Sequence, residues 1–255
     1  MNNNKTANKK SKIPPLKELR KICQTPESAL HDSWYGRNFA RRISIYFTKF
    51  FLHLHLSGNQ VTALWCILEI TAGILFCFGN YWFSVIGALL IQLAYILDGT
   101  DGEVSRYRKT SSLKGEYFDR LCHNISYPCI FIGISFGVYT NFHTIWAFVF
   151  GFSASMFFLL MWLVELERDK IVSKSKKDVE MENTAATFTK QTTGGNSLLK
   201  VIGNKIIDPT SIDVILWIVL TGAILNFMYL ILILYGVLLP CRWLLQVYYN
   251  LKYKF

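Results

Sequence analysis

The chain has 255 residues, 52% of them hydrophobic and 17% charged. Such a balance, with the charges segregated from long apolar runs, excludes an ordinary soluble domain and predicts an all-α polytopic membrane protein. The formal charge of +10, from 27 Lys and Arg against 17 Asp and Glu, reads as the basic side of a membrane protein attracted to anionic lipid, with no nucleic-acid partner implied.

Residues 1–33 read as a disordered basic N-terminal tail. Met1 to Lys12 is rich in Asn and Lys with no apolar core behind it, so it does not resemble a targeting peptide, and Pro14, Pro15 and Pro26 punctuate the rest of the tail. Over residues 34–56, from Trp34 to Leu56, the pattern changes. Phe39, Ile43, Phe47, Phe50 and Leu54 recur at helical intervals, with Arg37, Arg41, Arg42 and Lys49 between them. The spacing predicts an N-terminal amphipathic helix lying in the interface with its aromatic face in lipid; the alternative is a helix packed on the membrane core. His53 and His55 are two apart and share no helical face, which argues against a metal pair.

Residues 57–255 are expected to form the membrane domain. Apolar runs of about 20 residues, enough to cross a bilayer, lie near Val61 to Gly79, Tyr81 to Asp98, Tyr117 to Tyr139 and Phe142 to Glu165. A last stretch, Ile212 to Tyr249, is too long for one span and is expected to break around Gly222 to Asn226, giving six transmembrane helices. The one long polar connection, residues 165–211, either covers a site or merely joins helices. With the N-terminus inside, the outer turns fall near Asn80, near Thr140 and Asn141, and near Asn226, and none of them contains Lys or Arg. Both termini and the polar connection are therefore expected on the cytoplasmic side.

Other polar residues inside apolar runs carry less. Glu69 lies within the first span, where an ionisable residue is a functional candidate, and a structural or protonated role is the competing reading. Cys23, Cys66, Cys77, Cys122, Cys129 and Cys241 form no close metal pair and read as buried reduced thiols. Cys122 adjoins His123 but points about 100° away on a helix, against a shared metal.

The most informative stretch runs from Asp98 to Asp119, DGTDGEVSRYRKTSSLKGEYFD, where one apolar run ends and the next begins. Asp98 and Asp101 are three apart and share a helical face, with Asp119 at the mouth of the following helix. Converging carboxylates at a membrane helix end repel one another unless a counter-charge is present, and a hard divalent cation supplies it. Mg²⁺ or Mn²⁺ bridges carboxylates to phosphate oxygens, so the pattern points to phosphate chemistry, on the cytoplasmic side by the topology above.

These residues resemble the signature of the CDP-alcohol phosphotransferase family, DxxDGxxAR followed by GxxxD and xxxD, which stands here as Asp98, Asp101, Gly102, Ser105, Arg106, Gly115 and Asp119, with His123 in place of the last aspartate. Ser57-Gly58-Asn59-Gln60-Val61-Thr62 is similar to the short segment that opens the family's first membrane helix. The resemblance implies that Asp98, Asp101 and Asp119 hold Mg²⁺ or Mn²⁺, that Asn59, Thr62, Gly102, Ser105, Arg106 and Gly115 belong to the substrate site, and that a CDP-linked donor and an alcohol acceptor, at least one a lipid, react with release of CMP in phospholipid biosynthesis. CDP-diacylglycerol is the first expectation for the donor, with diglyceride and a CDP-linked headgroup the second, and a homodimer is implied. The family has Ala where Ser105 stands, a swap that keeps the position small. Arg106 either meets phosphate, braces the acids or serves as a positive-inside anchor; Arg108, Lys109 and Lys114 read as solvated loop charges.

His123 marks a departure. It lies four residues after Asp119 on the same helical face, where histidine suits general-base work near neutral pH; it either takes the base position or marks an inactive member, with Glu116 the next candidate. Two rivals stay open: a cation transporter using Glu69 and the acidic cluster, disfavoured because the acids gather at one face, and a catalytically inactive CDP-binding membrane protein.

Overall fold

Every regular element of this computed structural model is helical among the residues it describes, 13–25, 33, 35–185 and 210–253. The helices are α1 (Leu16–Cys23), α2 (Arg41–His53, entered through a π-turn at Gly36–Ala40), α3 (Gly58–Cys77), α4 (Tyr81–Arg108), α5 (Leu113–Phe142), α6 (Trp146–Ala185), α7 (Ile212–Ile224) and α8 (Met228–Tyr253). The chain is an all-α polytopic membrane protein: α3, α4, α5, α6 and α8 are each long and apolar enough to cross a bilayer.

Side chains with matching chemistry set the helix ends. Ser57 and Gln60 form a reciprocal capping box at the start of α3: Gln60 Oε1 accepts the Ser57 N–H at 2.8 Å, and Ser57 Oγ accepts the Gln60 N–H at 3.4 Å. Asn80 Oδ1 accepts the Trp82 N–H at 2.9 Å and opens α4, and Ser112 Oγ accepts the Gly115 N–H at 3.2 Å and opens α5. Lys109 closes α4 in a left-handed conformation, φ 55°. Asn226, φ 58°, does the same after α7, where the Phe227 N–H reaches Gly222 O at 2.7 Å.

The break expected around Gly222 to Asn226 therefore falls there, but of the six expected spans five are long enough among the described residues, and α7 is short. α7 has 13 residues, about 20 Å at 1.5 Å per residue against a hydrocarbon core of about 30 Å. At the other boundary, α6 continues past Glu165 to Ala185, into the connection expected to begin there. Its polar extension carries one-turn ion pairs, Glu165 with Arg168 at 3.3 Å and Glu167 with Lys170 at 2.8 Å. Residues 186–209 of that connection and 1–12 of the expected tail lie outside the described residues.

The chain divides into two compact units, one of residues 1–68 and 92–122, the other of residues 69–91 and 123–255. In the first unit α1 occupies part of what reads as a tail in the sequence. Pro15 is tolerated at its N-terminus, and Leu19 and Cys23, one turn apart, are fully buried. Leu16, Leu19, Ile22 and Cys23 do recur at helical spacing, but the run is only eight residues long and its other four are charged, so a reading for long apolar segments passes over it. α2 exposes Phe39 from the entering turn together with Phe50 and Leu54, as expected of a lipid-facing stripe, and adds Tyr46. Ile43 and Phe47 are half-buried, and the inner face carries the hydroxyls of Ser44 and Thr48 beside Ile45 and Leu52.

In the second unit, glycines bring the later half of α3 against α5. A Cβ on Gly133 would stand 2.0 Å from Gly73 O, and one on Gly137 2.1 Å from Phe76 O. Backbone cannot yield as a side chain does, so Gly133→Ala should force the helices apart at an overpacking cost of about 1–3 kcal/mol or more. Its thermal midpoint in detergent should fall by roughly 2 °C or more; a midpoint equal to the wild type's would refute the close contact. Glu69 is 2% exposed and accepts a hydrogen bond from Ser126 Oγ of α5, which gives this intramembrane acid a structural partner. Along α8, α6 packs with Ser153 Oγ donating to Gly236 O at 2.7 Å.

Candidate active site

α4 runs unbroken from Asp98 to Arg106, so helical geometry alone sets Asp98, Asp101 and Gly102 on the wall of one cavity of about 270 Å³ within the first unit. Glu103 and Arg106 of the same helix, Ser44 of α2 and Asp119 of α5 complete the part that matters chemically. Asp98 and Asp119 offer carboxylate oxygens within 4.8 Å of each other. Two carboxylates at that spacing repel one another unless a cation joins them, and an oxygen donor pair at a half-buried site fits a hard divalent ion. Gly99 has open space where a Cβ would be, which leaves the cavity mouth clear beside Asp98.

Asp101 is positioned by α3. Its Oδ2 accepts the Thr62 hydroxyl at 2.6 Å and the Trp65 indole N–H at 3.0 Å. Thr62 and Trp65 are one turn apart and both buried, so a single face of α3 orients this carboxylate. Asp101 lines the same cavity as Asp98 and Asp119 but lies outside the closest-spaced group of ligating atoms among the described residues.

The other residues singled out in the sequence divide into two sets. Gly102 and Arg106 line the cavity, and a Cβ on Gly102 would lie 3.1 Å from an Arg106 guanidinium nitrogen, so the arginine folds back over the glycine. Arg106 also donates Nε–H to Cys23 O at 2.7 Å. Asn59, Thr62, Ser105 and Gly115 are not on the cavity wall. Gly115 faces Asn59, whose Oδ1 would be 3.0 Å from an added Cβ. Ser105 faces Gly58, where a Cβ would meet Ser105 Oγ at 1.9 Å; the small side chain at 105 is thus used for helix contact. His123 follows Asp119 by one turn on α5, and its ring stacks with Tyr127 at 5.7 Å and with Trp162 at 6.4 Å between centroids. Glu116 is exposed and pairs with Arg120 at 2.8 Å.

Glu103 escaped the motif-based reading. It is 1% exposed and accepts hydrogen bonds from Gln24 Nε2 at 2.7 Å, Ser44 Oγ at 2.6 Å and Thr48 Oγ1. The available signal was a fourth acid within one turn of Asp101 at the end of an apolar helix. Next to this network, burial and then the Glu103 carboxylate push the Cys23 thiol up to about 11, with Arg106 pulling the other way. The thiol therefore stays protonated near neutral pH.

Three solved structures share the fold. The phosphatidylinositol phosphate synthase of Mycobacterium tuberculosis with CDP-DAG bound is 16% identical, with a TM-score of 0.59 over 81% of this chain and 92% of that one. The same enzyme in complex with manganese and citrate is 17% identical, with a TM-score of 0.58 over 82% and 90%. Its apo form has a TM-score of 0.52 at 16% identity, over 81% and 95%. Comparison with curated protein sequences gives no match. The sequence profile of the CDP-alcohol phosphatidyltransferases matches residues 55–248, a range that holds α3, the whole acidic stretch and most of α8, and the chain belongs to that family.

Proposed function

We propose that this protein transfers a substituted phosphoryl group from a CDP-linked donor, in the first place CDP-diacylglycerol, to an alcohol at the cytoplasmic membrane face, releasing CMP. The observation that carries the reading is the Asp98 and Asp119 pair, with oxygens within 4.8 Å, on a cavity also lined by Asp101 and Gly102. CDP-DAG and manganese in the M. tuberculosis structures support the choice of donor and of a divalent ion.

In this reading Asp98, Asp101 and Asp119 hold Mg²⁺ or Mn²⁺, which would offset charge on the diphosphate and improve CMP as a leaving group. Thr62 and Trp65 fix Asp101 in its ligating orientation. Gly102 gives the donor close approach to α4, Arg106 sets positive charge beside its phosphates, and Asn59, Ser105 and Gly115 shape the neighbouring helix mouths. The acceptor oxygen attacks the phosphorus distal to cytidine; the bond from that phosphorus to the oxygen bridging to CMP breaks. His123 takes the acceptor proton on its imidazole, and CMP leaves with the bridging electron pair. The active protein is a homodimer with both termini cytoplasmic.

Purified protein with labelled CDP-diacylglycerol and a panel of polyols, polyol phosphates and amino alcohols should release CMP only with Mg²⁺ or Mn²⁺ and one class of acceptor. Release from a CDP-linked headgroup with diglyceride would instead assign the second donor arrangement. Full turnover in excess EDTA, or no CMP under either arrangement, would overturn the reading.

A further inference from the structure

We infer that Glu103 is a positioning residue that clamps the N-terminal segment and α2 onto α4, so that residues as early as Gln24 brace the wall of the phosphoryl-transfer cavity from behind. The inference rests on the function proposed above, and it concerns a residue which that function does not use.

Three uncharged donors from two separate parts of the chain end on this one carboxylate: Gln24 Nε2, Ser44 Oγ and Thr48 Oγ1. Gln24 is itself aligned. Its Oε1 accepts from Arg20 at 3.3 Å and its Nε2 also donates to Arg41 O at 2.7 Å. Arg20 donates in addition to Arg42 O at 3.0 Å, and Arg106, three residues beyond Glu103 on α4, grips Cys23 O at 2.7 Å. Residues 20–24 are thus held by α4 at two points one turn apart and by the first turn of α2. Thr100 adds a link from α4 to Ser44 O at 3.5 Å.

A carboxyl group 1% exposed costs free energy unless its acceptor sites are filled, and loss of one donor weakens the rest of such a network. The clamp therefore closes or opens as a unit. Glu103, Ser44 and Arg106 all line the cavity that Asp98, Asp101 and Asp119 line, so opening it loosens the wall without removing any of those three acids. The expected kinetic sign is weaker donor capture with the chemical step largely kept.

Cys23 provides a readout that needs no turnover, because it is fully buried directly beneath the Arg106 contact. The test uses full-length protein in lipid nanodiscs, the variants Glu103→Gln and Gln24→Ala, and the double variant. Cys23 modification by a maleimide is followed by peptide mass spectrometry, and kcat and KM for CDP-diacylglycerol are measured in parallel. Gln24→Ala leaves Ser44 and Thr48 on Glu103 and so guards against a simple folding defect. Each single variant should raise Cys23 labelling at least about tenfold, as expected for a local opening. Each should also raise KM about tenfold with kcat within about threefold, and the double variant should be no worse than the stronger single one. Unchanged labelling in Glu103→Gln refutes the clamp. Faster labelling with unchanged KM, or effects that multiply, refutes its part in the site. If the wild type releases no CMP, the proposed function fails, and the labelling alone decides whether the clamp exists.

Discussion

Asp98→Asn and Asp119→Asn should each lower CMP release by at least about 10³-fold, on the scale of losing preorganised charge stabilisation at a reacting phosphate. Each change keeps side-chain volume and removes one negative charge from a pair whose oxygens lie within 4.8 Å. The same substitutions should act on stability with the opposite sign. In EDTA the two carboxylates of the wild type repel one another, so either amide should raise the thermal midpoint of the metal-free protein. Added Mn²⁺ should raise the wild-type midpoint and shift the variants much less, since binding to the native state stabilises more the tighter it is. Asp101→Asn should also abolish turnover, but its midpoint should not rise in the same way, because Oδ2 accepts two hydrogen bonds from buried donors and a neutral amide oxygen in its place accepts them more weakly than a carboxylate. Wild-type turnover in Asp98→Asn would remove the cation from the proposed mechanism.

His123→Ala should cost about 10² to 10⁴ in turnover, the span expected for loss of a general base. The KM for the CDP donor should stay within about threefold, because Asp98, Asp101 and Gly102 remain on the cavity wall. The ring stacks with Tyr127 and Trp162, so alanine also leaves a gap; His123→Gln, which fills the space and accepts no proton near neutral pH, controls for it. His123→Asp restores the family's residue and should retain activity. Alanine and glutamine variants that both turn over like the wild type from pH 5 to 9 would make His123 a packing residue. The fallback from sequence, Glu116, is weakened by its exposure and its ion pair with Arg120.

Local periodicity made the acidic face legible. Asp98 and Asp101 on one side of a helix, and Asp119 with His123 on the next, follow from intervals of three and four residues. Contacts between distant parts of the chain were not legible in this way. Thr62 reads as a substrate residue until its hydroxyl is seen on Asp101, 39 residues away, and Ser105 reads as clearance for a nucleotide until Gly58 is found against it. Glu103 was hidden for the same reason, since its donors lie at Gln24, Ser44 and Thr48. Hydropathy counted apolar residues correctly from Ile212 onward but did not measure how little of that run precedes the stop at Asn226. α1 was passed over because its helical period, Leu16, Leu19, Ile22 and Cys23, lasts only eight residues within a Pro-punctuated, charged segment.

The inverted polarity of α2 sets which of its positions are free to drift over evolutionary time. Phe39, Tyr46, Phe50 and Leu54 face outward, where any bulky apolar side chain performs the same task in a fluid and disordered lipid environment. Ser44 and Thr48 are 1% and 0% exposed against an acid, where a residue must be small and carry a hydroxyl at once. Related chains should therefore differ most in the residues that give this helix its hydrophobic appearance and least in its two modest hydroxyls. The segment that looks in one sequence like a generic membrane anchor would then carry, on its inner side, a family-specific imprint of the site it covers.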